Sequence, residues 1–176
     1  MIKYVVNSDV KKMENFSVQE LMEYANNNPS GPLPFFKVEG KDTKNLGVDE
    51  SAVIHYADQP AAIIAVGLSS CAAVILARYD GGVPKKAALY HANGGTIKKD
   101  NLVDLMVLLD LVCGEPLPES VSILAIYAVP KKEDKYYIED ANKISWCGVS
   151  SENILLVSNA DQGNFGINNR FLVGGL

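Results

Sequence analysis

Apolar residues in this chain come in short bursts separated by glycine, proline and polar positions, a pattern that predicts strands more often than helices. Residues 2–6 read as a first strand. The stretch 52–129 then carries runs at 52–56, 61–66, 72–79, 86–92 and 121–129, which read as the body of one sheet system. Further short strands are predicted at 136–138, 154–158 and 170–173, with 159–169 as a loop between the last two.

Two segments break to helical periodicity. Ser17-Val18-Gln19-Glu20 has the spacing of a capping box, and Val18, Leu21, Met22 and Ala25 form an apolar face, so a short helix is expected over 17–26. In 100–112, Leu102, Leu105, Met106, Leu109 and Val112 fall on one stripe, with Asp100 placed to cap the start and Gly114 and Pro116 to end it. Between the first helix and the strand-rich part, residues 26–32 (NNNPSGP) read as a surface loop and as the best candidate for an internal boundary.

Strands in runs with few helices predict an α+β fold: a β-sandwich of mostly antiparallel strands flanked by helices, not a doubly wound βαβ sheet with a nucleotide crevice. At 176 residues and 48% hydrophobic content, the chain can bury one substantial core without disulfides, so a single domain over 1–176 is expected. No repeat or low-complexity segment interrupts it.

Charge narrows the partners. Sixteen basic and 21 acidic residues leave a formal charge of −5, and no Lys/Arg block exceeds two, so nucleic acid is not an expected ligand. Lys3 and Asp9 interrupt the apolar beginning, which matches neither a Sec signal nor a membrane-spanning helix. The expectation is a soluble monomer without a membrane partner. Three cysteines without a C-x-x-C fit a reducing compartment. The spacings of the Cys and His residues match no short metal-ligand pair, so no metal and no cofactor are expected.

Candidate chemistry centres on Cys71 and His91. Asp80-Gly81-Gly82-Val83-Pro84 separates two apolar runs and supplies a reversal, so 72–79 and 86–92 should form an antiparallel hairpin. A turn centred on Gly81 pairs Cys71 directly with His91, residue numbers adding to 162. If Pro84 lengthens the loop the numbers add to 164 and the two become diagonal neighbours. An odd sum would put them on opposite faces and end the idea. An imidazole beside a thiol accepts its proton, generates the thiolate nucleophile and can later protonate a leaving group.

The segment Ala65-Val66-Gly67-Leu68-Ser69-Ser70-Cys71-Ala72-Ala73-Val74 resembles the Gly-Leu-Gly-Ser-Cys segment of the chemotaxis receptor deamidase CheD. It is also similar to the Leu-Ser-Gly-Cys signature of the cytotoxic necrotizing factor catalytic domain and Burkholderia lethal factor. In those families a cysteine opens a strand and a histidine follows on the neighbouring strand. The resemblance covers about residues 65–93 and implies a cysteine-dependent glutamine deamidase on a β-sandwich flanked by helices. The Cys71–His91 interval is slightly long for the pattern, as an extended turn would make it. Ala65 stands where CheD and the lethal factor carry a threonine, so the orienting of His91 falls to a backbone carbonyl or another side chain. Ser70 stands where Leu-Ser-Gly-Cys has glycine, and the N–H groups near Cys71 become oxyanion-hole candidates by position.

The expected reaction is conversion of a glutamine on a folded target protein to glutamate. The enzyme would act in its own cytoplasm or, as a toxin or virulence effector, after delivery into a host cell by a specialised secretion system. The alternatives are a cysteine peptidase or transglutaminase-like acyl transferase using the same pair, and a non-catalytic protein-binding domain with Cys71 as core. His55, with Tyr56 and Asp58, reads as a strand-end surface group, Cys113 and Cys147 read as core, and Asp161-Gln162-Gly163-Asn164 as a polar turn.

Overall fold

A computed structural model describes residues 3–6, 16–27, 42–57, 61–68, 70–95, 97–114, 121–129, 135–158 and 164–174. Residues 28–32 of the expected boundary loop, Asp58, Ser69 and residues 161–163 lie outside these. The elements in chain order are β1 (Lys3–Val6), β2 (Phe16–Ser17), α1 (Val18–Asn27), β3 (Asp42–Leu46), β4 (Ser51–His55), β5 (Ala61–Ala65), β6 (Ala72–Asp80) and β7 (Val83–Ala92). They continue with a 3-10 turn at Asn93–Gly95, α2 (Lys99–Cys113), β8 (Val121–Ala128), α3 (Lys135–Trp146), a second 3-10 turn at Ser151–Asn153, β9 (Ile154–Ser158), β10 (Phe165–Asn168) and β11 (Leu172–Gly174).

The chain is mixed α+β, mostly strands in two sheets with few helices. Sheet A has the order β1-β9-β8-β6-β7-β4 and sheet B the order β2-β11-β10-β5-β3. Of the nine pairings among the described residues, six are antiparallel and three parallel, the latter being β1 with β9, β8 with β9 and β3 with β5.

Period-two alternation divides each strand of sheet A between two cores. Ala73, Ile75, Ala77, Leu89, Ile126 and Leu155 face inward and share a buried cluster with Ile63, Phe165, Ile167 and Val173 of sheet B, so the two sheets pack face to face. Val74, Leu76, Tyr90, Tyr127 and Leu156 face the other way and are covered by Leu105, Leu108, Leu109 and Val112 of α2 and by Ala141 and Ile144 of α3. Helix α1 closes the first core with Val18, Leu21 and Met22. Its capping box forms as the sequence predicts: Glu20 N–H donates to Ser17 Oγ at 3.1 Å, and Ser17 N–H to Glu20 Oε2 at 2.8 Å.

Four expectations need correction. Residues 136–138 are not a strand but lie in α3, because burying Ala141 and Ile144 on sheet A requires helical spacing. The expected 159–169 loop contains β10, which pairs with both β5 and β11. Gly166 permits that approach, since a Cβ there would stand 2.5 Å from the Ile63 carbonyl oxygen. Helix α2 begins before Asp100, and its entry is tied by Lys98 N–H donating to Asn101 Oδ1 at 2.8 Å. The last strand starts at Leu172, Arg170 being in the preceding turn. Gly114 does end α2, at φ 66, with its N–H donating to the Asp110 carbonyl.

Candidate active site

The β6–β7 hairpin decides whether Cys71 and His91 can meet. Gly81 (φ 56) and Gly82 (φ 82) form a two-residue turn with both positions left-handed, the geometry that matches strand twist. That turn pairs Asp80 with Val83 and Tyr79 with Pro84, residue numbers adding to 163. Continued unchanged, this odd register would put Cys71 and His91 on opposite faces. The register shifts between Arg78 and Tyr79, leaving Lys85 as the extra residue of a β-bulge, and from Arg78↔Lys86 to Ala72↔Ala92 the numbers add to 164. The bulged Lys85 carbonyl accepts a 3.0 Å bond from Tyr56 N–H.

His91 consequently lies directly opposite Ala73, on the inner face that also carries Ala87 and Leu89. Cys71, the residue before β6, belongs to the same inner cluster. The two are diagonal neighbours across the hairpin, roughly 7–8 Å apart by strand geometry. Direct opposition, the first of the two expected registers, is thus replaced by the diagonal one. Both residues are buried, Cys71 at 5% exposure and His91 at 1%.

His91 is held from two sides. Its backbone N–H donates to the Glu50 carbonyl at 3.0 Å and its carbonyl accepts from Asp49 N–H at 2.8 Å. Its ring Nδ1 lies 2.9 Å from the Leu46 carbonyl oxygen. A carbonyl only accepts, so Nδ1 donates its proton to it. Nε2 is buried and has no hydrogen-bond partner.

The Leu46 carbonyl is the hydrogen-bond partner of the His91 ring, which the Ala65 side chain could not be. Leu46 and Ala65 are paired at the ends of β3 and β5, and the same Leu46 oxygen accepts Val66 N–H at 3.2 Å. No sequence signal marks this group, because a carbonyl belongs to every residue. The turn that carries it is stiffened by Gly47 N–H donating to Glu50 Oε2 at 2.8 Å.

The 46–50 turn is also tied to α2. Asn101 Nδ2 donates to the Tyr90 hydroxyl at 2.7 Å, and that hydroxyl reaches Asp49 Oδ1 at 3.3 Å and Asp104 Oδ2 at 3.4 Å. Burial pushes the Tyr90 phenol up to about 12, the Asn101 bond opposing this and the two carboxylates adding to it. The connection after His91 is anchored by Asp140, whose Oδ2 accepts Ile97 N–H at 3.0 Å and whose Oδ1 pairs with Lys143 at 2.5 Å.

On the cysteine side, Leu68 is fully buried and Gly67 takes φ 72, its N–H donating to Asn164 Oδ1 at 3.3 Å. Ser70 is exposed. The Ser70 and Cys71 N–H groups have no backbone acceptor among the described residues. His55 is exposed at the end of β4 beside Lys86, away from the pair. Cys113 and Cys147 are partly buried against the α2/α3 core, and burial pushes both thiols up. Among the described residues no helix is long and apolar enough to cross a membrane. No family model matches the chain, and no curated protein matches it.

Proposed function

We propose that the chain is a cysteine-dependent protein-glutamine deamidase of the CheD and necrotizing-factor type, with Cys71 as nucleophile and His91 as acid/base. The observation that carries this reading is the bare, buried Nε2 of His91, set by the Leu46 carbonyl, on the same sheet face as Cys71. His91 takes the Cys71 proton and the thiolate attacks the carboxamide carbon. The Ser70 and Cys71 N–H groups stabilise the oxyanion. Collapse breaks the C–N bond, and the imidazolium proton goes to departing ammonia. Water, deprotonated by the same imidazole, hydrolyses the thioester to glutamate and the free thiol. The chemistry uses no cofactor, and the new negative charge on a folded target, bacterial or host, alters its local hydrogen bonding.

The burial of Cys71 in the inter-sheet cluster supports a second reading, a non-catalytic binding domain with the cysteine as core. Iodoacetamide labelling at neutral pH, resolved by peptide mass spectrometry, separates the two. Cys113 and Cys147, raised by burial, serve as slow internal references. The deamidase reading expects Cys71 to label fastest and to slow about a hundredfold or more in His91→Ala. A Cys71 that stays unmodified in the native fold, or that ignores His91, leaves the binding domain. Ammonia release from a glutamine-bearing protein, lost in Cys71→Ser, then distinguishes a deamidase from a peptidase or acyl transferase.

A further inference from the structure

The outward face of α2 is apolar where it meets solvent. Val103, Met106, Val107 and Leu111 are 60, 53, 54 and 52% exposed, whereas Leu105, Leu108, Leu109 and Val112 are buried against sheet A. Packing of the helix is therefore satisfied without the exposed set. Val103, Val107 and Leu111 recur every four residues and form one stripe. Asp100, Asp104 and Asp110, all exposed, border it, and none has an ion-pair partner among the described residues. Lys86, at the far end of the helix, is engaged with the Leu111 carbonyl at 2.7 Å. The end of α3 abuts the same helix, with Cys147 Sγ 4.0 Å from the Leu102 carbonyl and Trp146 beside it 75% exposed.

We infer that this face is a docking surface for a cationic amphipathic helix of a partner protein, its apolar side on the Val103–Val107–Leu111 stripe and its Lys/Arg residues over the three aspartates. Charge selects this occupant. A second copy would bring the same three carboxylates, on a chain of net charge −5, against themselves, and an anionic lipid surface would be repelled in the same way. The inference does not depend on the Cys71–His91 pair, which lies on the inner face of sheet A while α2 covers the outer one.

Trp146, exposed near the α2/α3 contact, is the single tryptophan of the chain. The intact protein is titrated with a synthetic helix of Leu and Lys at heptad spacing, and in parallel with its Leu/Glu counterpart, reading Trp146 emission and the anisotropy of dye-labelled peptide. The Leu/Lys peptide is expected to bind saturably with a blue shift, and the Leu/Glu peptide not to bind. Asp100→Lys with Asp110→Lys should weaken binding about tenfold, as added salt should, and Val107→Glu should abolish it while circular dichroism stays unchanged. Equal binding of both peptides, no binding of either, or indifference to the charge reversal overturns the proposal. So does self-association in sedimentation that Val107→Glu removes, or binding to phosphatidylserine vesicles in place of the peptide.

Discussion

His91 shows how much one side chain can depend on a group that has no identity in a sequence. The placement of Cys71 and His91 on one face of the hairpin is legible because the hairpin spacing can be read directly. The Leu46 carbonyl that accepts from the His91 ring is not, because β3 is a polar edge segment and its oxygen is brought in only by tertiary packing. Tyr90 belongs to the same support. Tyr90→Phe leaves the Asn101 amide, itself buried, without its 2.7 Å acceptor. A loss of about 1–3 kcal/mol is expected, read as a lower urea midpoint at unchanged slope. Labelling of Cys71 should slow in the same variant if the 46–50 turn loosens with it; unchanged labelling would detach Tyr90 from the site.

At the scale of elements, the hairpin carries a single inserted residue. Deleting Lys85 removes the bulge and joins Tyr79↔Pro84 directly to Arg78↔Lys86, so Ala73 still faces His91, while the Tyr56 N–H loses the Lys85 carbonyl that accepts it. The deletion is expected to cost about 1–3 kcal/mol through the lost acceptor while Cys71 labelling is retained, whereas Lys85→Ala should change stability by no more than about 0.5 kcal/mol. Thermal melts of the two variants make the comparison. The bulge was only half legible: Pro84 signalled a longer connection, but which residue would be extra depends on the Lys85 carbonyl meeting Tyr56. Helix α3 was hidden by Tyr136-Tyr137-Ile138, residues that favour strands in isolation and are overruled by the burial of Ala141 and Ile144. Its Asp140 is 4% exposed and holds the Ile97 N–H. Asp140→Ala should cost about 2 kcal/mol in denaturant titration, below the figure for a fully buried pair because Lys143 keeps contact with water.

For the molecule as a whole, the strand-rich α+β character and helix α2 on sheet A were readable from periodicity, and the parallel pairings were not, since nothing local distinguishes a strand that will run parallel. Global stability should fall at high pH. Burial pushes both Tyr79 and Tyr90 up to about 12 from 10.0, so between those values the unfolded chain has lost protons that the native state retains. Stability is then fully present below about pH 10 and declines toward pH 12; far-ultraviolet circular dichroism tracked with tyrosinate absorbance should show the two changes together. The strand order carries a further consequence, for the making of the protein. β1 has β9 as its sheet neighbour and β2 has β11, so the earliest strands synthesised are completed by the latest. On the ribosome both sheets must wait, with their first edges unfilled, until residues 154–174 have emerged, and refolding in solution should be slow because these closures span nearly the whole chain.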